Sequence, residues 1–186
     1  MKVLAISGSL RHGSYNTMVL RAAQELFPND VEFELYDGLK EIPAYDEDDD
    51  GPDAPVAAER FRSALAGADA VLFATPEYNS SVPGQLKNAL DWASRPIATN
   101  VLRNKPVGVV GASSGAFGAV WAQAELRKVL AATGARVVDG EVPFGHAHQR
   151  FDAEGNLVDD QLREQLGEVV ESLYAAAELR LGAAAA

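Results

Sequence analysis

TPEYNSSVPGQLKNALDW, residues Thr75–Trp92, carries the chain out of the apolar run Ala68–Ala74, through a polar loop, and into an amphipathic segment. The run before it is short and uninterrupted, which suits a strand buried on both faces. From Pro83 to Ser94 the apolar residues Leu86, Ala89, Leu90 and Ala93 recur at helical spacing. Pro83 is tolerated in a first helical turn, where its missing N–H has no partner to lose. A buried strand that enters a helix through such a loop puts the loop at the carboxyl edge of a sheet, where ligands bind in open α/β folds.

Working outward from this unit, the alternation repeats. Lys2–Ser7 reads as a buried strand and Val31–Tyr36 as a half-exposed one with Glu32 and Glu34 turned outward. Pro106–Gly111 is a fourth strand and Ala135–Val138 a short fifth. Helices are predicted at Tyr15–Phe27, at Ala54–Leu65, from the end of ASSGAFG to about Ala132, and at Asp159–Leu179. Because crossovers are right-handed, five such strands make a mostly parallel sheet with helices on both faces the economical solution. No linker or repeat divides residues 1–180, which read as one domain, and the alanine-rich end at 181–186 is expected to fray.

Composition narrows the chemistry. The chain has 186 residues, 47% hydrophobic and 23% charged, as an ordinary globular protein has. Cysteine is absent, which excludes disulfides, iron–sulfur clusters and thiolate catalysis. Redox chemistry would therefore belong to a bound cofactor. A net charge of -11 disfavours broad nucleic-acid binding while leaving room for a local anion site. No apolar run reaches the roughly 18 residues of a membrane helix. The opening MKVLAISGSLR, apolar only over Val3–Ile6, fits a first strand better than a signal peptide, so a cytoplasmic protein is expected.

Three other signals are weak. Asp46, Asp48, Asp50 and Gly51 imitate the start of a calcium loop, but Ala57 stands where the bidentate glutamate belongs. His146 and His148 lack the companions of a metal site, and neither Ser113 nor Ser114 lies in a G-x-S-x-G elbow. No metal is expected.

The loop GSLRHGSYN, Gly8–Asn16, joins the first strand to the first helix. Gly8 and Gly13 relax its backbone, and Ser9, Ser14 and Asn16 bring donors to a helix N-terminus, a natural place for a phosphate. Arg11 adds a forked cation. The spacing is neither that of a dinucleotide fold nor that of a P-loop. Taken alone, the loop is equally a helix cap beside an exposed charge.

Taken with Pro76-Glu77-Tyr78-Asn79, Ser81-Val82-Pro83-Gly84 and Leu86-Lys87-Asn88, the pattern Gly-Ser-x-Arg-x-x-Ser-x-Asn resembles the NADPH-dependent FMN reductases. That family contains flavodoxin-like quinone, chromate and azo-dye reductases. The resemblance implies a three-layer α/β sandwich with a five-stranded parallel sheet of order 2-1-3-4-5, bound FMN, and NADPH or NADH as electron donor. It assigns Ser9, Arg11, Ser14 and Asn16 to the FMN phosphate. Pro76, Glu77, Tyr78 and Asn79 fall to the ring loop, and Ser113, Ser114 and Gly115 to a third flavin-facing loop. It further implies hydride transfer through flavin N5, with no catalytic side chain and with Tyr78 and Asn79 as orienting groups. A small-molecule acceptor, quinones first, and a homodimer or homotetramer complete the expectation. Trp121 departs from the pattern on the acceptor side. With Glu77 and Trp92 it is a candidate subunit contact, although packing is favoured for Trp92, and the Glu77 carboxylate is expected to point outward or into such a contact. A flavodoxin-type electron carrier without nicotinamide chemistry is the alternative.

Overall fold

The computed structural model describes residues 1–185. In chain order the main elements are β1 (Lys2–Ser7), α1 (Tyr15–Gln24), β2 (Glu32–Leu35), α2 (Val56–Gly67), β3 (Ala70–Thr75) and α3 (Gly84–Ala93). They continue with β4 (Pro106–Ala112), α4 (Val120–Ala132), β5 (Arg136–Val137), β6 (Pro143–Phe144) and α5 (Asp160–Ala185). All strand pairs are parallel, and the path runs β2-β1-β3-β4-β5. The alternation anticipated a parallel sheet with helices on both faces, and the order is that of the flavodoxin-like sandwich the resemblance implied.

Side-chain alternation along the strands divides the core in two. Val3, Ala5, Leu72, Val110 and Ala112 face one side with α1 and α5, whereas Leu4, Ile6, Val71, Phe73 and Val109 face the other with α2, α3 and α4. Gly108 lets α5 close on the sheet: a Cβ there would lie 3.0 Å from Leu72 Cδ1 and 3.4 Å from Leu173 Cδ2. Fully parallel strands sandwiched this way need apolar residues at every position, which is why β3 and β4 read as continuous runs.

The short fifth strand falls within its predicted span, Ala135–Val138, and is followed by a further strand, β6, that the sequence did not signal. β5 pairs with the start of β4 at Pro106 and Val107, and β6 pairs with its end at Gly111 and Ala112. Between them lies Gly140 (φ 114°), where a Cβ would come within 2.7 Å of Val169 Cγ2. The edge is thus interrupted where the chain presses on α5.

Pro83 is the N-cap of α3 rather than a residue of its first turn, and α1 ends at Gln24 rather than Phe27. At the other terminus α5 continues past Leu179 to Ala185, through the segment that composition marked for fraying. Alanine's high helix propensity accounts for the extension.

The acidic loop is organised by Arg62. Asp46 caps a single 3-10 turn at Glu47–Asp49, and Asp50, nearly buried, pairs with Arg62 at 2.6 Å. Arg62 also donates through Nε to Trp92 O at 2.9 Å and lies over the Trp92 ring. Asp50 therefore serves an internal ion pair.

Lys105, at the start of β4, is only 2% exposed, and its ammonium donates to the carbonyls of Ala66 and Ala68. Burial, helped by the neighbouring charge of Arg180 and opposed by Asp69, lowers its pKa from 10.5 to about 8. Between those values the unfolded chain holds a proton that the folded protein has lost, so stability rises with pH across the window. Urea melts of the wild type and Lys105→Met at about pH 7.5 and about pH 9.5 should show the difference moving toward the wild type at the higher pH. A pH-independent difference would remove the burial argument.

Candidate active site

Three loops leave the carboxyl ends of β1, β3 and β4 and enclose a cleft of about 350 Å³. The β1–α1 loop is set by its cap. Ser14 is the N-cap of α1 and accepts from the Asn16 N–H at 3.2 Å. Gly13 turns the chain at φ 64°, a conformation glycine reaches at little cost. Arg11 is exposed, donates to His12 O at 3.3 Å, and rests over the Tyr15 ring at 5.5 Å.

Asn16 is buried at 3% exposure. Its Nδ2 donates to Ala112 O and its Oδ1 accepts from Ala112 N–H, each at 3.0 Å. The side chain lines the cleft, but these two bonds commit its carboxamide to the end of β4. It positions the site.

In the β3–α3 loop, Tyr78 and Ser81 exchange backbone hydrogen bonds of 3.1 Å around Asn79 and Ser80, both left-handed (φ 53° and 59°). That is the geometry of a type I′ turn, which asparagine tolerates well. Pro76, Glu77 and Tyr78 line the cleft, whereas Asn79 occupies the exposed turn tip outside it.

Glu77 is turned to a structural purpose that sequence reasoning missed. α4 begins after Ala119, itself left-handed (φ 62°) and without a side-chain cap. Glu77 Oε2 accepts from the Trp121 and Ala122 N–H groups, both at 3.1 Å. A carboxylate at a helix N-terminus satisfies donors that have no internal partner and opposes the helix dipole. Glu125 of α4 reaches back, accepting from Ser81 Oγ at 2.6 Å. Two carboxylates thus tie the β3–α3 loop to α4 in opposite directions. The expected outward or intersubunit role of Glu77 gives way to this internal one.

Ser113 and Ser114 line the third wall, but Gly115 does not. Ser113 Oγ accepts from Gly115 N–H at 3.0 Å, and the loop locks onto β6 through Gly118. A Cβ on Gly118 would lie 2.3 Å from Pro143 C, so that glycine is required for the close approach. Tyr15 and Ala112 also line the cleft and had no sequence signal. Tyr15 belongs there because Phe151 stacks on it at 6.1 Å.

Trp92 is fully buried, donates to Pro43 O at 3.0 Å and meets Tyr45 edge-on. Packing was the favoured reading, and burial rules it out as a subunit contact. Trp121 is 48% exposed and packs edge-on against the exposed Phe117. His146 and His148 lie with ring centroids 6.2 Å apart, and among the described residues no group of three or more potential ligands surrounds a metal position. No described helix is long and apolar enough to cross a membrane.

The donor set fits a flavin mononucleotide. Ser9, Ser14 and Arg11 converge without a carboxylate on one wall, Pro76 and Tyr78 offer flat apolar surface, and Ser113 and Ser114 supply hydroxyls opposite. Residues 1–149 match the family model described as NADPH-dependent FMN reductase. The chain is 46% identical over 174 residues to an NAD(P)H-dependent FMN reductase of Pseudomonas aeruginosa, covering 93% of each. It is 41% identical over 167 residues to a 2-hydroxy-1,4-benzoquinone reductase of a Burkholderia species, covering 89% of this chain and 90% of the relative. Among solved structures, the flavoenzyme NAD(P)H:(acceptor) oxidoreductase FerB of Paracoccus denitrificans superposes with a TM-score of 0.83 at 34% identity. That match covers 95% of this chain and 97% of FerB.

Removing the Asn16 carboxamide leaves a buried N–H and C=O of Ala112 unpaired. Asn16→Ala should therefore cost about 2–4 kcal/mol of stability, read as a lower urea midpoint with an unchanged slope. Glu77→Ala removes the cap of α4 and should cost about 1 kcal/mol, with Glu77→Gln retaining part of it. Thermal melts of the three proteins check the order.

Proposed function

Because the chain belongs to the NADPH-dependent FMN reductase family, we propose that it is an enzyme that carries electrons from NAD(P)H through bound FMN to quinone-like acceptors. The observation that carries this reading is the convergence of the phosphate-type donors Ser9, Arg11 and Ser14 with the Pro76–Tyr78 wall and the Ser113–Ser114 hydroxyls in one cleft. Bound FMN would supply reversible two-electron chemistry, taking a hydride at N5 and releasing electrons to the acceptor, which no side chain of this cysteine-free chain provides.

The protein's part is binding and orientation. Arg11 and the two serines hold the phosphate, with Ser14 already oriented as a cap. Asn16 supports the phosphate loop from below through Ala112. Pro76 and Tyr78 would offer surface to the ring, and Ser113 and Ser114 would offer hydroxyl donors to its polar groups. Glu77 keeps the ring loop still by capping α4, while Asn79 and Gly115 shape their loops from outside the cleft. An exposed Tyr78 beside an open cleft leaves one side free for planar molecules to enter in turn.

Quinones are the favoured acceptors, on the strength of the benzoquinone-reducing relative. NADPH is favoured over NADH. A cytoplasmic homodimer or homotetramer belongs to the same reading, with Phe117 and Trp121 the exposed aromatic surface available for self-association.

Anaerobic stopped-flow absorbance tests the function. NADPH should bleach the bound flavin, and benzoquinone added afterwards should restore the band. Binding of FMN without bleaching by either nicotinamide would leave an electron carrier as the better description. Recovery with other oxidants but not with quinone would change only the acceptor. Arg11→Ala should weaken FMN binding by about tenfold or more, since a hydrogen bond to a charged group is worth roughly 1.5–3 kcal/mol. Fluorescence titration at fixed ionic strength reads that loss.

A further inference from the structure

Gln123, at the end of the first turn of α4, is completely buried yet only half satisfied. Its Nε2 donates to Gly118 O at 3.0 Å and to Val142 O at 3.3 Å, whereas its Oε1 accepts no hydrogen bond among the described residues. The sheet leaves room for the carboxamide: a Cβ on Gly111 of β4 would lie 2.9 Å from both Cγ and Nε2 of Gln123. Burying an amide with an unpaired acceptor costs stability that a methionine of similar size would not lose. Stability alone therefore does not account for a glutamine here.

The two carbonyls belong to segments behind one wall of the cleft. Gly118 closes the loop that carries Ser113 and Ser114, and Val142 leads into β6. Backbone bonds join these segments to one another, from Ser113 N–H to Phe144 O at 3.1 Å, His146 N–H to Gly115 O at 2.8 Å and Ala147 N–H to Ser113 O at 3.0 Å. Gln123 adds a bond from each segment to α4. The N–H groups of Trp121 and Ala122, in the same turn of that helix, are held by Glu77 of the ring loop. One turn of α4 thus ties the Ser113–Ser114 wall to the Pro76–Tyr78 wall.

We propose that Gln123 is a positioning residue for the flavin ring: by holding Gly118 and Val142 to α4, it sets the separation between the Ser114 hydroxyl and the Pro76–Tyr78 wall. This role rests on the proposed flavin-dependent function and deepens it. Ser114 is exposed, and its side chain forms no hydrogen bond among the described residues, so its hydroxyl is free to serve a ligand in the cleft. The proposed phosphate donors Ser9, Arg11 and Ser14 lie on the β1–α1 loop, which Gln123 does not touch. A change at Gln123 is therefore felt by the ring and not by the phosphate.

Fluorescence titration with FMN and with riboflavin, which lacks the phosphate, tests that separation. Gln123→Met should weaken both ligands by the same factor, about fivefold, the worth of one neutral hydrogen bond. Gln123→Glu should recover part of the loss, because a carboxyl buried this deeply stays protonated and keeps one donor. Arg11→Ala should weaken FMN alone. Read with FMN, Ser114→Ala should weaken binding in the wild type and change little in the Gln123→Met background, where the hydroxyl is already displaced. This cycle decides even where riboflavin binds too weakly to titrate, and Gln123→Glu replaces Gln123→Met in it if the latter does not fold. A lower urea midpoint with wild-type ligand affinities, a loss confined to FMN, or effects of Gln123 and Ser114 that simply add, overturns the positioning role and leaves the flavin reading intact. A wild type that binds neither FMN nor riboflavin overturns both.

Discussion

Asn16 and Ala112 hold one another through two hydrogen bonds of 3.0 Å, between residues 96 apart in the chain. Ala112 ends β4 and Asn16 lies in the first turn of α1, so the pair sets the spacing between the loop bearing Ser9 and Arg11 and the loop bearing Ser113 and Ser114. Both partners are buried, and in that setting an unpaired amide is costly, which makes the arrangement close to all-or-none. A cleft built from separate loops needs such a constraint, because each loop by itself has several conformations of similar energy.

The wall formed by the β3–α3 loop is held by carboxylates. Glu77 caps α4 from the β3–α3 loop, and Glu125 holds that loop from α4. The Asp50–Arg62 pair does the same for the long acidic segment, fastening it against Trp92. Each of these carboxylates answers a backbone dipole or a guanidinium within the fold. Glu77, a residue of the ring loop itself, is committed to α4, while Arg11 on the opposite wall pairs with no acid and donates to a backbone carbonyl.

The apolar runs and their spacing were enough to read five strands and helices on both faces, since burial on both faces leaves a continuous apolar signature, whereas the sheet order came from the family resemblance carried by the loop motifs. The two loop motifs also pointed to the right edge of the sheet. What those motifs left open was how each residue is used. Asn16 and Asn79 carry the same side chain in the two motifs, yet one bridges two elements from a buried position and the other forms a turn tip. Glu77 looked like a surface charge because its partners, the N–H groups of Trp121 and Ala122, lie 44 and 45 residues later. Tyr15 gave no signal for a similar reason: Phe151, which seats it, comes from the far end of the chain.

The sequence by itself determined the fold class and which loops gather at the carboxyl edge, because hydrophobic periodicity, capping serines and turn residues act between near neighbours. Only the tertiary structure decided the division of labour within the cleft. It added β6 beyond the fifth strand, the two separated at Gly140, where contact with Val169 leaves no room for a Cβ. It buried Trp92 and left Trp121 at the surface. Those outcomes depend on hydrogen bonds and excluded volume between residues that meet only once the sheet has closed, and local pattern carries no record of them.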